Sequence, residues 1–432
     1  MAVDKRRAVI TQNSCSCAMP GVWRAVAHNP GCVVVYHSPR ACTHVTGRMD
    51  LYQHYHDVVG DERSGAIYTA PLISTNITDK QTIFGGGKLL SRCLDYVVDR
   101  YHPAYIVVAN SCISGVIGDD TEGICRAKEQ EHNVPILNTE AHGFLDGEYY
   151  GGYCDAAKQL VDRFMERQED RLDQICILGE KGGPYSRNAQ YISRLFRGFH
   201  VEAYQRFPSY SSLADFKLIA KSRWIVPLGG SAKAYEWMSE LAQYMSKRLQ
   251  MEVFDTDYPV GIQATYDWIA RLGAFLGQDE CVVAAQRQAR EELENALEKC
   301  GDVLRHQHAV IVLGRRLANS NPHWVLEMAK QVGMHIDGIV FMGNESRNSW
   351  EEWLTRWNIE DTLPLFIEKD ADAVLKKTDL VLTTVELEGE PYKQLFLPMI
   401  PPIGISGLVY IYRRLFQLAC HRRRRGVILN AW

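Results

Sequence analysis

The sequence of 432 residues has no Cys-x-x-Cys pair among its 12 cysteines, so the close-spaced thiol signature of a zinc ribbon or a ferredoxin loop is missing. It has no apolar run approaching the roughly 18 residues that a bilayer-spanning helix needs, and no membrane span is expected. Charge of one sign is not in excess either: 48 Lys and Arg against 52 Asp and Glu leave a formal charge of −4, which gives no reason to invoke nucleic acid. Behind the charged start Met1-Ala-Val-Asp-Lys-Arg-Arg7 the chain is polar and cysteine-bearing rather than a continuous apolar signal core, so export is not expected. Many cysteines without secretion imply a cytoplasmic location, where thiols stay reduced or bind metal. No Ser-His-Asp or paired-carboxylate arrangement can be located, which leaves hydrolytic catalysis without positive support.

What is present is the composition of a globular protein, 46% hydrophobic and 23% charged. The length suggests about three domains on the usual size range. Short β-branched runs alternate with longer amphipathic ones, the pattern of parallel α/β units. Strands are expected at Cys32–Tyr36, Ile67–Ile73, Tyr105–Ala109 and Val134–Asn138, with a helix at Gly87–Tyr101. A second series is expected at Gln174–Leu178, Val201–Tyr204, Trp224–Leu228 and Glu252–Phe254, after a charged stretch, Glu166–Arg171, that reads as an exposed helix end. A helix running to Leu276 and a charge-laced helix over Asp279–Cys300 lead to a third series at His308–Leu313, His335–Phe341, Leu363–Ile367, Leu380–Thr384 and Phe396–Met399. The fold class is therefore α/β with three Rossmann-like domains built on parallel sheets, spanning 1–165, 166–300 and 301–432 with a C-terminal helix in the last. The basic run His421-Arg-Arg-Arg-Arg425 follows an amphipathic stretch, Leu408 to Leu418, and reads as a solvated helix end that complements the macrodipole.

Gly85-Gly-Gly-Lys88 invites comparison with a phosphate-binding loop, but no Ser or Thr follows the lysine, and a helix start with a tight turn is the better account. Gly179-Glu-Lys-Gly-Gly183 and Gly229-Gly230 follow expected strands, where they either cradle an anion or make plain strand-to-helix turns, the second being favoured. His37, His44, His54 and His56 cluster early in the chain, and a mixed His/Cys metal site is weighed there against surface or hydrogen-bonded histidines.

Three cysteines stand apart. Cys17, Cys42 and Cys112 each sit in a turn marked by glycine or proline beside a hydrophobic run, in Cys17-Ala-Met-Pro-Gly21, His37-Ser-Pro-Arg-Ala-Cys42 and Asn110-Ser-Cys-Ile-Ser-Gly-Val-Ile-Gly-Asp-Asp120. Thiolates are the soft ligands that iron–sulfur clusters require, and loops at strand ends can aim sulfurs at a shared point. Three widely separated cysteines supply half a ligand set, so a second polypeptide would complete it. The competing reading is that free cysteines act as small apolar core residues, as most of the 12 should. Cys15 is left open, because neighbouring thiols on an extended segment face opposite ways.

At these residues the chain resembles the nitrogenase component-one superfamily, which includes nitrogenase catalytic subunits, cofactor-assembly scaffolds and related reductases. The resemblance rests on Cys17-Ala-Met-Pro-Gly21, Tyr36-His-Ser-Pro-Arg-Ala-Cys42, Ser74-Thr-Asn76 ahead of Phe84-Gly-Gly86, and Cys112 with Val116-Ile-Gly-Asp-Asp120. It implies that Cys17, Cys42 and Cys112 bind a P-cluster-type iron–sulfur cluster shared with a homologous α-type subunit in an α2β2 heterotetramer. It also implies an ATP-dependent iron protein as electron donor. The stretch Trp224-Ile-Val-Pro-Leu-Gly-Gly-Ser231 lacks the cysteine that anchors the catalytic cofactor in α-type subunits, so the chain is similar to the β-type partner.

The sequence lacks the long N-terminal arm of molybdenum-nitrogenase β subunits, and no counterpart of their redox-linked serine lies near Thr139-Glu-Ala141. A nitrogenase-like reductase relaying electrons is expected, similar in overall form to the methylthio-alkane reductases that cleave carbon–sulfur bonds. Alternatives are a nitrogenase β subunit reducing dinitrogen, a cofactor-assembly scaffold without turnover, and a nucleotide-sugar or periplasmic-binding-like protein whose cysteines are merely core.

Overall fold

The computed structural model describes residues 17–59, 68–142, 148–179, 183–184, 186–201, 204–314, 322–342, 355, 363–385, 387, 393–397, 401–421 and 428–430. The first unit runs α1 (Ala18–Val26), β1 (Cys32–His37), α2 (Arg40–Val59), β2 (Leu72–Ser74), α3 (Asp79–Phe84), α4 (Gly87–Tyr101) and β3 (Tyr105–Asn110). It continues with α5 (Cys112–Ile117), α6 (Thr121–His132), β4 (Ile136–Glu140) and α7 (Tyr149–Phe164). The second comprises β5 (Leu172–Leu178), α8 (Arg187–Phe196), β6 (Tyr204–Phe207), α9 (Leu213–Ile219), β7 (Ser222–Pro227), α10 (Ala232–Leu249), β8 (Glu252–Val253) and α11 (Ile262–Leu276). The long α12 (Asp279–Leu304) leads to β9 (His308–Leu313), α13 (His323–Val332), β10 (His335–Phe341), β11 (Leu365–Ile367), β12 (Leu380–Thr383), β13 (Gln394–Phe396) and β14 (Ile428–Asn430). The helix Gly404–Cys420 packs between the last two strands in sequence.

Three sheets result, in strand orders β2-β1-β3-β4, β6-β5-β7-β8 and β11-β10-β9-β12-β13-β14, and every pairing among them is parallel. Each order reverses direction once, between β1 and β3, between β5 and β7, and between β9 and β12, and a doubly wound sheet opens its ligand crevice outside the carboxyl ends of such a strand pair. No helix among the described residues is long and apolar enough to cross a membrane.

The central strands are buried on both faces, which is why they read as continuous Val/Ile runs rather than alternating ones. In the first sheet Val33, Val35, Ile106 and Val108 pack on Leu90, Leu94, Val97 and Cys125 of α4 and α6. The opposite face, with Cys32, Val34, Tyr36, Tyr105 and Val107, packs on α1 and α7, and that core runs on without interruption into Cys176, Phe216 and Met238 of the second unit. Helices α1 and α7 cross at Gly21 and Gly152, where a Cβ on either glycine would run into the backbone of the other helix, at Tyr149 and Ala18 respectively. This close crossing fixes where α1 begins, and so where Cys17 stands.

Several local differences from the sequence reading have physical causes. The second strand starts at Leu72 because Pro71 cannot donate to the ladder, and Ala70 instead donates to the Ala27 carbonyl outside it. The strand expected at Val201–Tyr204 lies at Tyr204–Phe207, since Val201 closes a turn on Phe199. Glu166–Arg171 is not a helix end: α7 stops at Phe164, and the Arg171 guanidinium binds the carbonyls of Ala220, Ser222 and Leu249. The Leu408–Leu418 stretch is helical over Gly404–Cys420, while the arginines of the following basic run lie outside the described residues.

Candidate metal centre

All three singled-out cysteines open helices at the carboxyl edge of the first sheet. Cys17 is the N-cap of α1 in an extended conformation, Cys42 lies in the first turn of α2, and Cys112 is the first residue of α5 behind the cap Ser111. Cys42 follows β1 and Cys112 follows β3, the adjacent pair between which the strand order reverses. The turns expected around Cys42 and Cys112 are therefore strand-to-helix turns.

Tyr36 ties Cys17 to Cys42. Its hydroxyl donates to the Met19 carbonyl at 2.6 Å, in the first turn of α1, and lies 3.3 Å from Thr46 Oγ1. Since the Tyr36 proton goes to Met19, the Thr46 hydroxyl is the donor of that contact, and its single proton is shared between Tyr36 Oη and the Cys42 carbonyl at 3.1 Å. Burial raises the Tyr36 phenol well above its ordinary range; the Thr46 hydrogen bond opposes this, and the nearby Cys17 and Cys42 thiols add to it.

His37 ties Cys42 to Cys112. Its carbonyl accepts from both the backbone N–H and the hydroxyl of Ser111, at 3.2 and 2.9 Å, and the Ser111 side chain caps α5. Its ring sits between Thr75 Oγ1 at 3.1 Å and Asp119 Oδ2 at 3.0 Å, and both Asp119 oxygens accept from the Gly86 N–H. A side chain at Gly86 would collide with Asp119 and with the His37 ring, so that glycine is demanded by close approach. Burial lowers the His37 pKa, and the Asp119 carboxylate partly opposes the shift. A neutral ring then donates from Nε2 to Asp119 and accepts from the Thr75 hydroxyl.

Five of the other described cysteines are held protonated by burial, whereas Cys281 is half-buried like these three and Cys420 is exposed. Cys32 and Cys176 are fully buried and their thiols are pushed far up, while burial raises Cys93 to about 11 and Cys125 and Cys154 to about 12, so these stay protonated and act as core. Cys17, Cys42 and Cys112 are all half-buried. Their sulfurs do not lie all within 4.8 Å of one another; among the described residues only Asp95, Glu131 and His132 form a set that close. That set is an ion-pair network rather than a vacant metal site, because Lys128 Nζ bonds Asp95 at 2.6 Å and Glu131 at 2.8 Å. Three soft donors spaced too widely to chelate one ion suit a multi-iron group with further ligands, and in that respect the residues fit an iron–sulfur cluster.

The other motifs resolve differently. Gly86 caps α4, as a helix start requires. Gly229 and Gly230 donate to the Asp257 carboxylate at 2.7 and 2.9 Å, an internal anion that leaves this turn a structural one. Of the Gly179–Gly183 segment, residues 180–182 lie outside the described residues. His44 is exposed, and the side chains of His54 and His56, like Cys15, lie outside the description. Thr75 and Asp119 stand inside recognisable motifs, but their partners are not legible from them, because only the fold brings residues 37, 75, 86 and 119 together.

The family profile described as nitrogenase component 1 type oxidoreductase matches residues 17–403. The chain is 27% identical over 299 residues to the nitrogenase iron-molybdenum cofactor biosynthesis protein NifE of Clostridium pasteurianum, an alignment covering 64% of this chain and 63% of that protein. The chain thus spans less than two thirds of that relative. It is 20% identical over 336 residues to the nitrogenase molybdenum-iron protein beta chain of the same organism, covering 73% and 67%. The solved structure of nitrogenase Cp1 at pH 6.5 superposes with a TM-score of 0.65 at 17% identity, covering 97% of this chain and 95% of that one, which shows a shared fold.

Proposed function

The chain belongs to the nitrogenase component 1 type oxidoreductase family, and from that premise we propose that it is the β-type, electron-relaying subunit of a nitrogenase-like reductase. Cys17, Cys42 and Cys112 hold this chain's share of a P-cluster-type iron–sulfur cluster, and a homologous α-type subunit supplies the other thiolates and carries the catalytic cofactor in an α2β2 assembly. When bound, the cluster takes up and passes on single electrons delivered by an ATP-dependent iron protein. The chain's own residues position and insulate. Tyr36 sets Cys17 against Cys42, and the His37–Asp119 pair sets Cys42 against Cys112. Exposed Ile83 and Phe84 on α3 beside Val116 on α5 offer an apolar surface next to Cys112 for a docking partner.

The observation that carries this reading is the placement of three half-buried thiols on three helix starts around one strand-order reversal. For substrate we favour carbon–sulfur bonds of methylthio-alkanes over dinitrogen, on the resemblance in overall form and on the lack of a serine at Thr139–Ala141. The test is anaerobic purification with the partner subunit, followed by iron and sulfide quantification and a substrate screen including volatile organic sulfur compounds and dinitrogen. Cys42→Ala should lower iron and turnover together, and retention of both at wild-type levels would sink the assignment.

The likeness to cofactor biosynthesis proteins supports a second reading, a scaffold that holds a cofactor precursor and hands it on. A scaffold pair would release its cluster to an apo-enzyme and reduce no substrate when supplied with iron protein and ATP. The relay subunit would do the reverse.

A further inference from the structure

The loop after β4 brings a fourth metal-binding side chain to the same sheet edge. The Ala141 N–H donates to the Asn110 carbonyl at 3.0 Å, which ties the end of β4 to the residue two positions before Cys112. The next residue, His142, is half-buried, and the flat of its ring lies on α5: a methyl group placed on Gly115 would stand 2.8 Å from Nε2, 2.9 Å from Cε1 and 3.1 Å from Cδ2, which leaves the in-plane Nε2 lone pair directed away from Gly115. Gly115 is three residues past Cys112, hence on the same face of the helix one turn away. A glycine inside a helix costs roughly 0.5–1 kcal/mol relative to alanine, and the approach of this ring accounts for its presence. Among the described residues neither ring nitrogen of His142 has a hydrogen-bond partner.

A second observation points the same way. Thr139, three residues earlier, is fully buried, and its hydroxyl finds no partner. Its strand register aligns it with Ala109 and Tyr36, so it shares a sheet face and a row with the tyrosine that joins Cys17 to Cys42. An orphaned buried hydroxyl at the end of a strand marks a place where a polar or ionic group is missing from the list of neighbours.

We propose that His142 is a protein ligand of the cluster, bound through Nε2 to iron on the Cys112 side. This rests on the cysteine reading above and extends it to a mixed nitrogen and sulfur set. Imidazole is a neutral ligand where thiolate is anionic, so it raises the reduction potential of the iron it binds, as histidine does in Rieske centres. The experiment is pulsed EPR on the anaerobically purified complex with its partner subunit, the protein labelled with 15N-histidine. A strong nitrogen hyperfine coupling is expected, its loss in His142→Ala with iron content retained, and a shift to lower potential in His142→Cys. A complex with full iron and no strong nitrogen coupling, or a coupling that persists in His142→Ala, overturns the histidine ligand and leaves the cysteine set standing. A wild-type complex without iron overturns the cysteine set itself, and the histidine with it.

Discussion

The His37 ring and the Asp119 carboxylate, 82 positions apart in the chain, meet at 3.0 Å with side-chain exposures of 0% and 6%. One side of the pair belongs to the strand that leads to Cys42, and the other to the turn that closes the helix opened by Cys112. Because Asp119 also accepts the Gly86 N–H with both oxygens, a single carboxylate joins α4, β1 and the end of α5. The pair is thus a fixed strut across the thiol-bearing edge.

Removing that strut should be costly. Asp119→Ala leaves His37 Nε2 and the Gly86 N–H without their acceptor in a closed environment, and an unsatisfied buried donor costs about 1–3 kcal/mol. A fall in urea midpoint equal to that free energy divided by an unchanged slope is expected; an unchanged midpoint would show that the pair does not constrain the edge.

The pH dependence follows from the lowered pKa of His37. Folded, the ring stays neutral to a lower pH than in the unfolded chain, where it titrates near about 6.5. Below that pH the unfolded state binds the additional proton, so the stability this residue contributes is full above about 6.5 and is lost as pH falls through the lower folded value. Stability measured between pH 7 and pH 5 should fall less steeply in His37→Gln than in the wild type, and equal slopes would remove His37 from the account.

Much of the scaffold was legible because the central strands are short apolar runs between turn residues. His308–Leu313 and His335–Phe341 match their expected limits, Cys32–His37 and Tyr105–Asn110 extend one residue beyond theirs, and α4 spans Gly87–Tyr101 as read. What escaped is set by tertiary contact. The run after Cys42 is polar and weakly patterned, and it forms α2, whose first turn is tied to Tyr36 through Thr46. The three-residue strand Ile428–Asn430 exists through its pairing with Gln394–Phe396, which no local pattern announces. The three cysteines were visible from their motifs. The parts of Tyr36, Thr46, Thr75 and His142 were not, since each acts across a distance in sequence or through a neighbour that only the fold supplies.

Tyr36→Phe tests the link between two of the thiols. The substitution keeps the ring in the core but leaves the Met19 carbonyl without its 2.6 Å donor, at an expected cost of about 1–3 kcal/mol. It also releases α1 from its tie to the Thr46 turn, so Cys17 and Cys42 lose their fixed spacing. Iron per chain should drop in the anaerobically purified complex while far-UV circular dichroism stays native. Full iron at wild-type stability would show that the hydroxyl is incidental.

Phe84→Asp addresses the apolar surface beside Cys112. Ile83 is 74% exposed, Phe84 79% and Val116 75%, an unusual concentration of bare apolar side chains on two adjoining short helices. Phe84 is the last residue of α3, directly before its cap Gly85, where an added carboxylate opposes the helix dipole at a cost of about 0.3–1 kcal/mol, so the variant should melt only slightly below the wild type. If the patch is covered on docking, losing a buried aromatic side chain forfeits about 1.5–3 kcal/mol of association. That is roughly tenfold or more in affinity. The dissociation constant of the subunit pair and the apparent KM for the iron protein are the two measurements, and the patch has no docking role if neither moves.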